Sequence, residues 1–121
     1  MKIRATFTTP KNMVISPEKV TVLAGEPVYW EFVSNSLIPQ INWTINFHHD
    51  SPFGPALSTV KAQTVGSIPR AAVSTPAARH IGLSPSLIAQ VPGTDYKYDV
   101  VAQDAQGNTL AEDDPYLTVL P

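Results

Sequence analysis

No cysteine occurs among the 121 residues. That absence removes disulfides, thiolate nucleophiles, cysteine-based zinc sites and any copper–thiolate centre. Charge is scarce as well. Charged residues make up 15% of the chain, the net charge is −2 and no basic run occurs, so nothing electrostatic recommends a nucleic-acid partner. No apolar run approaches the ~20 residues of a membrane span. Residues 1–7 alternate polar and apolar and lack the apolar stretch of a signal peptide. The expected compartment is therefore the cytoplasm as written, or the periplasm or exterior if Met1 replaces a removed leader. Hydrolytic signatures are missing too, with neither Gly-x-Ser-x-Gly nor His-Glu-x-x-His present. A Ser-His-Asp triad is defined by geometry rather than order, so an unrecognised hydrolase stays as a third reading.

What the chain does have is proline and β-formers. Twelve prolines are well above the usual ~5% share, and with abundant Val, Thr and Ile they favour short strands and rigid loops. Hydrophobic residues are 43% of the total. The length suits one domain, residues 1–121, able to bury roughly two-thirds of its unfolded surface.

Period-two alternation marks the strands. Ile3, Ala5 and Phe7 share a face, and Thr9-Pro10 with Lys11-Asn12 is expected to turn the chain. After the Ser16-Pro17 break, Val20 and Val22 lie on a strand from Lys19 to Leu23. Gly25-Glu26-Pro27 reverses the chain into Val28, Trp30 and Phe32. The clearest strand covers residues 40–48, with Ile41, Trp43, Ile45 and Phe47 on one face. Burying those four side chains contributes on the order of 6–12 kcal/mol before conformational entropy is counted. Residues 51–92 carry a weaker signal. They hold a candidate strand over 59–65, a Ser84-Pro85 pair suited to starting a helical turn, and an alternation of Leu87, Ala89 and Val91 that suits a strand better. Tyr96, Tyr98, Val100 and Ala102 then share a face, Gly107 closes a tight turn, and Leu117 and Val119 point inward on the last strand. Eight or so strands at this spacing predict an all-β, two-sheet antiparallel Greek-key sandwich.

The stretch Pro92-Gly93-Thr94-Asp95-Tyr96-Lys97-Tyr98-Asp99-Val100-Val101-Ala102-Gln103, followed by Gly107-Asn108, resembles the last core hairpin of the cupredoxins, the β-sandwiches that carry blue copper. Residues 15–32, a strand leading through a glycine turn into an aromatic-centred strand, are similar to the same family. The resemblance, over residues 15–32 and 87–119, implies a cupredoxin-like sandwich; an immunoglobulin-like one is the alternative. On the family frame the cysteine falls at Val100, the histidine at Gln103 and the methionine at Asn108. The resemblance therefore implies a scaffold kept without its type 1 copper ligands and with no cofactor.

The remaining candidates are polar. His48, His49 and His80 are candidate Cu or Zn ligands, although adjacent strand histidines point to opposite faces. His48, His49, Gln103 and Asn108 are expected to form a ligand rim at one loop end. Glu112-Asp113-Asp114 is read as a solvated turn rather than a calcium loop. Asn42-Trp43-Thr44 matches a glycosylation acceptor but sits mid-strand. By parity, Tyr29 and Tyr116 are the outward aromatics available for sugar stacking. The expected function is a non-catalytic, copper-free binding or structural module whose partner is a protein or a small polar ligand. The alternative is a metal-handling protein using the surface histidines.

Overall fold

Alternating burial becomes strand after strand in the computed structural model, which describes residues 1–8, 12–35, 38, 40–54, 59–64, 68–69 and 78–121. Among these residues every regular element is a β-strand: β1 (Lys2–Thr8), β2 (Asn12–Ser16), β3 (Lys19–Leu23), β4 (Pro27–Asn35), β5 (Ile41–Phe47), β6 (Thr59–Thr64), β7 (Ile68–Pro69), β8 (Ala78–Leu83), β9 (Leu87–Ile88), β10 (Gly93–Gln103), β11 (Thr109–Asp113) and β12 (Tyr116–Leu120). They form two sheets. One has the order β2-β1-β4-β8-β7 with β9 on β4; the other has the order β3-β12-β10-β5-β6 with β11 on β10. The expected two-sheet sandwich is present.

The sheets are mixed rather than purely antiparallel. β1 runs parallel to β4, and β12 parallel to β3. The cause is that β2 and β3 run in one direction but belong to different sheets, with Pro17 at the change-over. β11 and β12 also run in one direction but stay in one sheet, meeting β10 over its later and earlier residues respectively, with Pro115 between them. Proline has no N–H to give a ladder, so it suits a place where the chain leaves one pairing for another. Each such passage uses up a direction, and strands of like direction end up side by side.

The core lies between the sheets and holds the expected side chains: Trp30, Phe32, Ile41, Trp43, Ile45, Phe47, Tyr98 and Val100 are all buried. Trp43 stacks on Phe32 across the sandwich at 4.8 Å between centroids, and Trp30 meets Tyr98 edge-on at 5.6 Å. Such aromatic pairs add to the burial of area itself. The Trp30 indole N–H donates to the Tyr98 hydroxyl at 3.4 Å, and burial pushes that phenol well above its ordinary pKa. Gly93 is required by its neighbour, since a Cβ there would lie 2.8 Å from the Tyr96 ring.

Local expectations fared differently. Asn12 opens β2 instead of closing a turn, and residues 9–11 lie outside the described residues. The strand expected over 59–65 is β6, with position 65 outside the described residues. Ser84-Pro85 starts no helical turn. Ser84 exchanges backbone hydrogen-bond groups with Trp30, its hydroxyl accepts from the Trp30 N–H at 2.9 Å, and its backbone N–H donates to the Trp30 carbonyl. The residue is spent closing β4. Only Leu87 and Ile88 form a strand there, and Val91 is exposed rather than inward. Gly107 does adopt the left-handed conformation its turn requires, with φ of 86°.

Candidate functional site

Strand polarity decides which polar residues can meet. β5 and β10 are antiparallel, with Tyr98 opposite Phe47 and Gln103 opposite Asn42. The start of β5 therefore lies beside the end of β10, and His48, which follows β5, lies at the far end of the ladder. The rise of a strand puts roughly 20 Å between those two levels. The expected rim of His48, His49, Gln103 and Asn108 is thus divided between two ends of the sandwich. The clue was present in the sequence: two antiparallel neighbours never place their C-terminal ends together, and His48 and Gln103 each end a strand.

At the β10–β11 end, the three positions of the copper frame have other occupations. Val100 is fully buried, paired with Ile45 on one side and Asp113 on the other. Asn108 belongs to its own turn. Its backbone N–H donates to Asp104 Oδ1 at 2.9 Å and its side-chain amide to Oδ2 at 3.2 Å, while the Gln106 N–H donates to Oδ1 at 3.0 Å. The N–H of Asn108 foremost, with its side-chain amide and the Gln106 N–H, holds the Asp104 carboxyl below its usual pKa. Gln103 lies on the outer face beside Asn42. His80 is on β8 opposite Ser34, at this same end, and its side chain lies outside the described residues.

At the other end, His48 Nε2 is 2.7 Å from Asp99 Oδ1, and the His48 backbone N–H donates to the Lys97 carbonyl. His49 is exposed and lines a cavity of about 220 Å³ with Asp50, Thr94, Asp95, Tyr96 and Lys97. His80, beyond the opposite end of the ladder, is not brought to His48 and His49. Among the described residues no group of three or more His, Cys, Asp or Glu side chains is placed to hold a metal ion. Glu112, Asp113 and Asp114 edge a second cavity with Asp99. Lys97 reaches Asp114 at 3.1 Å, and that hydrogen-bonded carboxylate raises the pKa of its ammonium. The ring of Tyr116 has the Lys19 and Lys97 ammonium groups each 5.4 Å from its centroid, so it is not a free stacking platform.

The feature the sequence reading missed is an open groove of about 510 Å³ on the outer face of β10, β5 and β6, lined by Asn42, Trp43, Thr44, Lys61, Ala62 and Gln103. Its polar members alternate with core residues along their strands. The same parity that marked Trp43 as core placed Asn42 and Thr44 together outside, and only the register with Lys61 and Gln103 shows that they converge.

No protein-family model matches the chain, and no curated protein matches it in sequence. Solved structures do. Auracyanin A, a blue copper protein of the green thermophilic photosynthetic bacterium Chloroflexus aurantiacus, is similar at 16% identity over 99% of this chain and 100% of its own, with a TM-score of 0.47. A methionine-to-leucine variant of rusticyanin is similar at 14% identity over 99% of this chain and 76% of its own, with a TM-score of 0.46. Auracyanin B is similar at 17% identity over 100% and 88%, with a TM-score of 0.43. The two-sheet sandwich itself is established by the strand topology.

Proposed function

We propose that the chain is a copper-free binding or structural module with a cupredoxin-like frame, acting without catalysis. One observation carries the reading: Val100, on the frame position of the copper thiolate, is a fully buried apolar side chain in a protein that has no cysteine. A blue-copper centre needs two imidazoles, a thiolate and a weak axial ligand. Gln103 supplies no imidazole, and the Asn108 side chain is engaged by Asp104. The sandwich keeps its fold without the metal because its stability resides in the aromatic core and the ladders.

Titration of the purified protein with Cu(II) and Zn(II), followed by calorimetry and absorption spectroscopy, tests this reading. The expected result is no intense thiolate-to-copper band and no tight stoichiometric heat. Tight one-to-one binding lost on replacing His48, His49 or His80 would overturn it in favour of a metal-handling protein.

A further inference from the structure

We propose that the groove on the outer face of β10, β5 and β6 binds a hexuronic acid unit, with its carboxylate on Lys61 and its hydroxyls on Asn42, Thr44 and Gln103. The proposal deepens the reading of the chain as a binding module and rests on it.

The outer face of this sheet is divided in how its polar side chains are satisfied. Away from the groove, three pairs of polar side chains on this face satisfy one another: His48 with Asp99, Thr59 with Asn46, and Lys97 with Asp114. In the groove they do not. Among the described residues, Asn42, Thr44, Lys61 and Gln103 make no side-chain hydrogen bond, and Lys61 has no carboxylate within ion-pair distance. Three of the four are only half-exposed, so their amides and hydroxyl are held by the sheet rather than swinging in solvent. Polar groups fixed by a rigid scaffold, pointing one way and unsatisfied by the protein, are what a polar ligand can use.

The groove's dimensions match one sugar ring. Asn42 stands directly opposite Gln103, and Thr44 directly opposite Lys61. Neighbouring strands lie about 5 Å apart, and alternate residues on one strand about 7 Å apart. The four groups thus frame an area the size of one pyranose ring, within a groove whose volume of about 510 Å³ suits a small ligand.

The groove's side chains suit hydroxyls and one carboxylate. Each primary amide donates and accepts, which matches hydroxyls that do both. Neutral sugars are commonly held by an exposed aromatic platform, and here Trp43 is only 1% exposed. Binding must rest on hydrogen bonds and charge. Among the described residues the groove's charge is a single ammonium, without the arginine fork or helix N-terminus that phosphate recognition uses, so a carboxylate fits better. Glu112, opposite Val101 on the β11 side, repels an anion there and directs the carboxylate toward Lys61 on the β6 side.

The test is an NMR titration of the ¹⁵N-labelled chain with sodium galacturonate, with its linear trimer and with glucose. Saturable shifts gathered on Asn42, Thr44, Lys61 and Gln103 with galacturonate, and none with glucose, are expected. Tighter binding of the trimer assigns the site to an acidic polysaccharide; equal binding assigns it to the free sugar acid. Lys61→Gln should weaken galacturonate binding about tenfold, the scale of a charge-assisted hydrogen bond, with the thermal midpoint unchanged. Lys19→Gln, the same charge change elsewhere on this sheet, should leave binding intact. Shifts that scatter or fail to saturate, or equal losses in the two lysine variants, would overturn the site. Either failure would leave the copper and zinc titrations as they stand, so the two ideas are separable.

Discussion

Along β10, the residues before Tyr98 and those after it meet different neighbours. The earlier part pairs with β12 through an interrupted register, with a shift between Gly93 and Tyr96 and Asp95 held at φ of 53°. The later part pairs with β5 without a break from Tyr98 to Gln103. On the outer face, the earlier part carries Lys97, matched to Asp114, and Asp99, just past Tyr98, is matched to His48. Beyond Asp99 the later part carries Gln103 beside Asn42 and Val101 beside Thr44, with no side-chain partner for these polar groups among the described residues. The unbroken ladder with β5 keeps Asn42 and Gln103 in a fixed array, whereas toward the start of β10 the polar side chains have found one another. A binding surface is therefore more naturally sought on the regular half, although the histidines and acids draw attention to the other.

The comparison is broken most severely from the core side of the regular half. Trp43, opposite Ala102 on β10 and stacked on Phe32, is 1% exposed. Trp43→Ala should cost about 3–5 kcal/mol, because a cavity remains where the ring stood. Chemical denaturation monitored by circular dichroism checks it, and a loss under about 1 kcal/mol would mean the two sheets are not locked by this pair. The groove residues sit on the opposite side of the same strand, so this variant should also lose whatever ligand binding the wild type has.

A gentler way to sharpen the contrast uses the turn that ends the regular half. Asp104 accepts from the N–H groups of Asn108 and Gln106, and its folded pKa is lowered chiefly by Asn108. A lowered carboxylate pKa adds stability above the unfolded value of about 3.9, and that stability disappears as pH falls through the folded value. Thermal midpoints measured downward from neutral pH should therefore fall below about pH 4 with a component that Asp104→Asn lacks. Identical acid limbs in the two proteins would show that the turn does not contribute.

How much of this was legible depended on which link of the chain was asked for. Core membership was legible, because a strand pleat alternates strictly and Trp43, Ile45, Tyr98 and Val100 each obey it. The turn at Gly107 was legible because few residues tolerate its backbone. Sheet membership was not. Nothing local to β2 says that its continuation joins the other sheet, so the parallel pairs escaped. The β7–β8 region escaped because its residues do not alternate cleanly between polar and apolar. The candidate site failed on polarity. His48 and Gln103 look equivalent as strand-ending residues until the antiparallel register is written out, and Lys61 has no signature at all before it is placed opposite Thr44.

The smallest effect expected is at the His48 end of the β5–β10 ladder. His48 and Asp99 approach to 2.7 Å, yet their side chains are 33% and 43% exposed, so water and salt screen the pair. Exposed ion pairs contribute at most about 1 kcal/mol, and His48→Gln retains a hydrogen-bonding group in the same place. Its denaturation midpoint should lie close to that of the wild type, and the difference should shrink further as ionic strength rises. If His48→Gln instead destabilised the fold as much as Trp43→Ala, the charged end of β10 would be a structural anchor rather than a solvated edge. The division of the strand into a self-satisfied half and a half with hydrogen-bonding capacity to offer would then have to be redrawn.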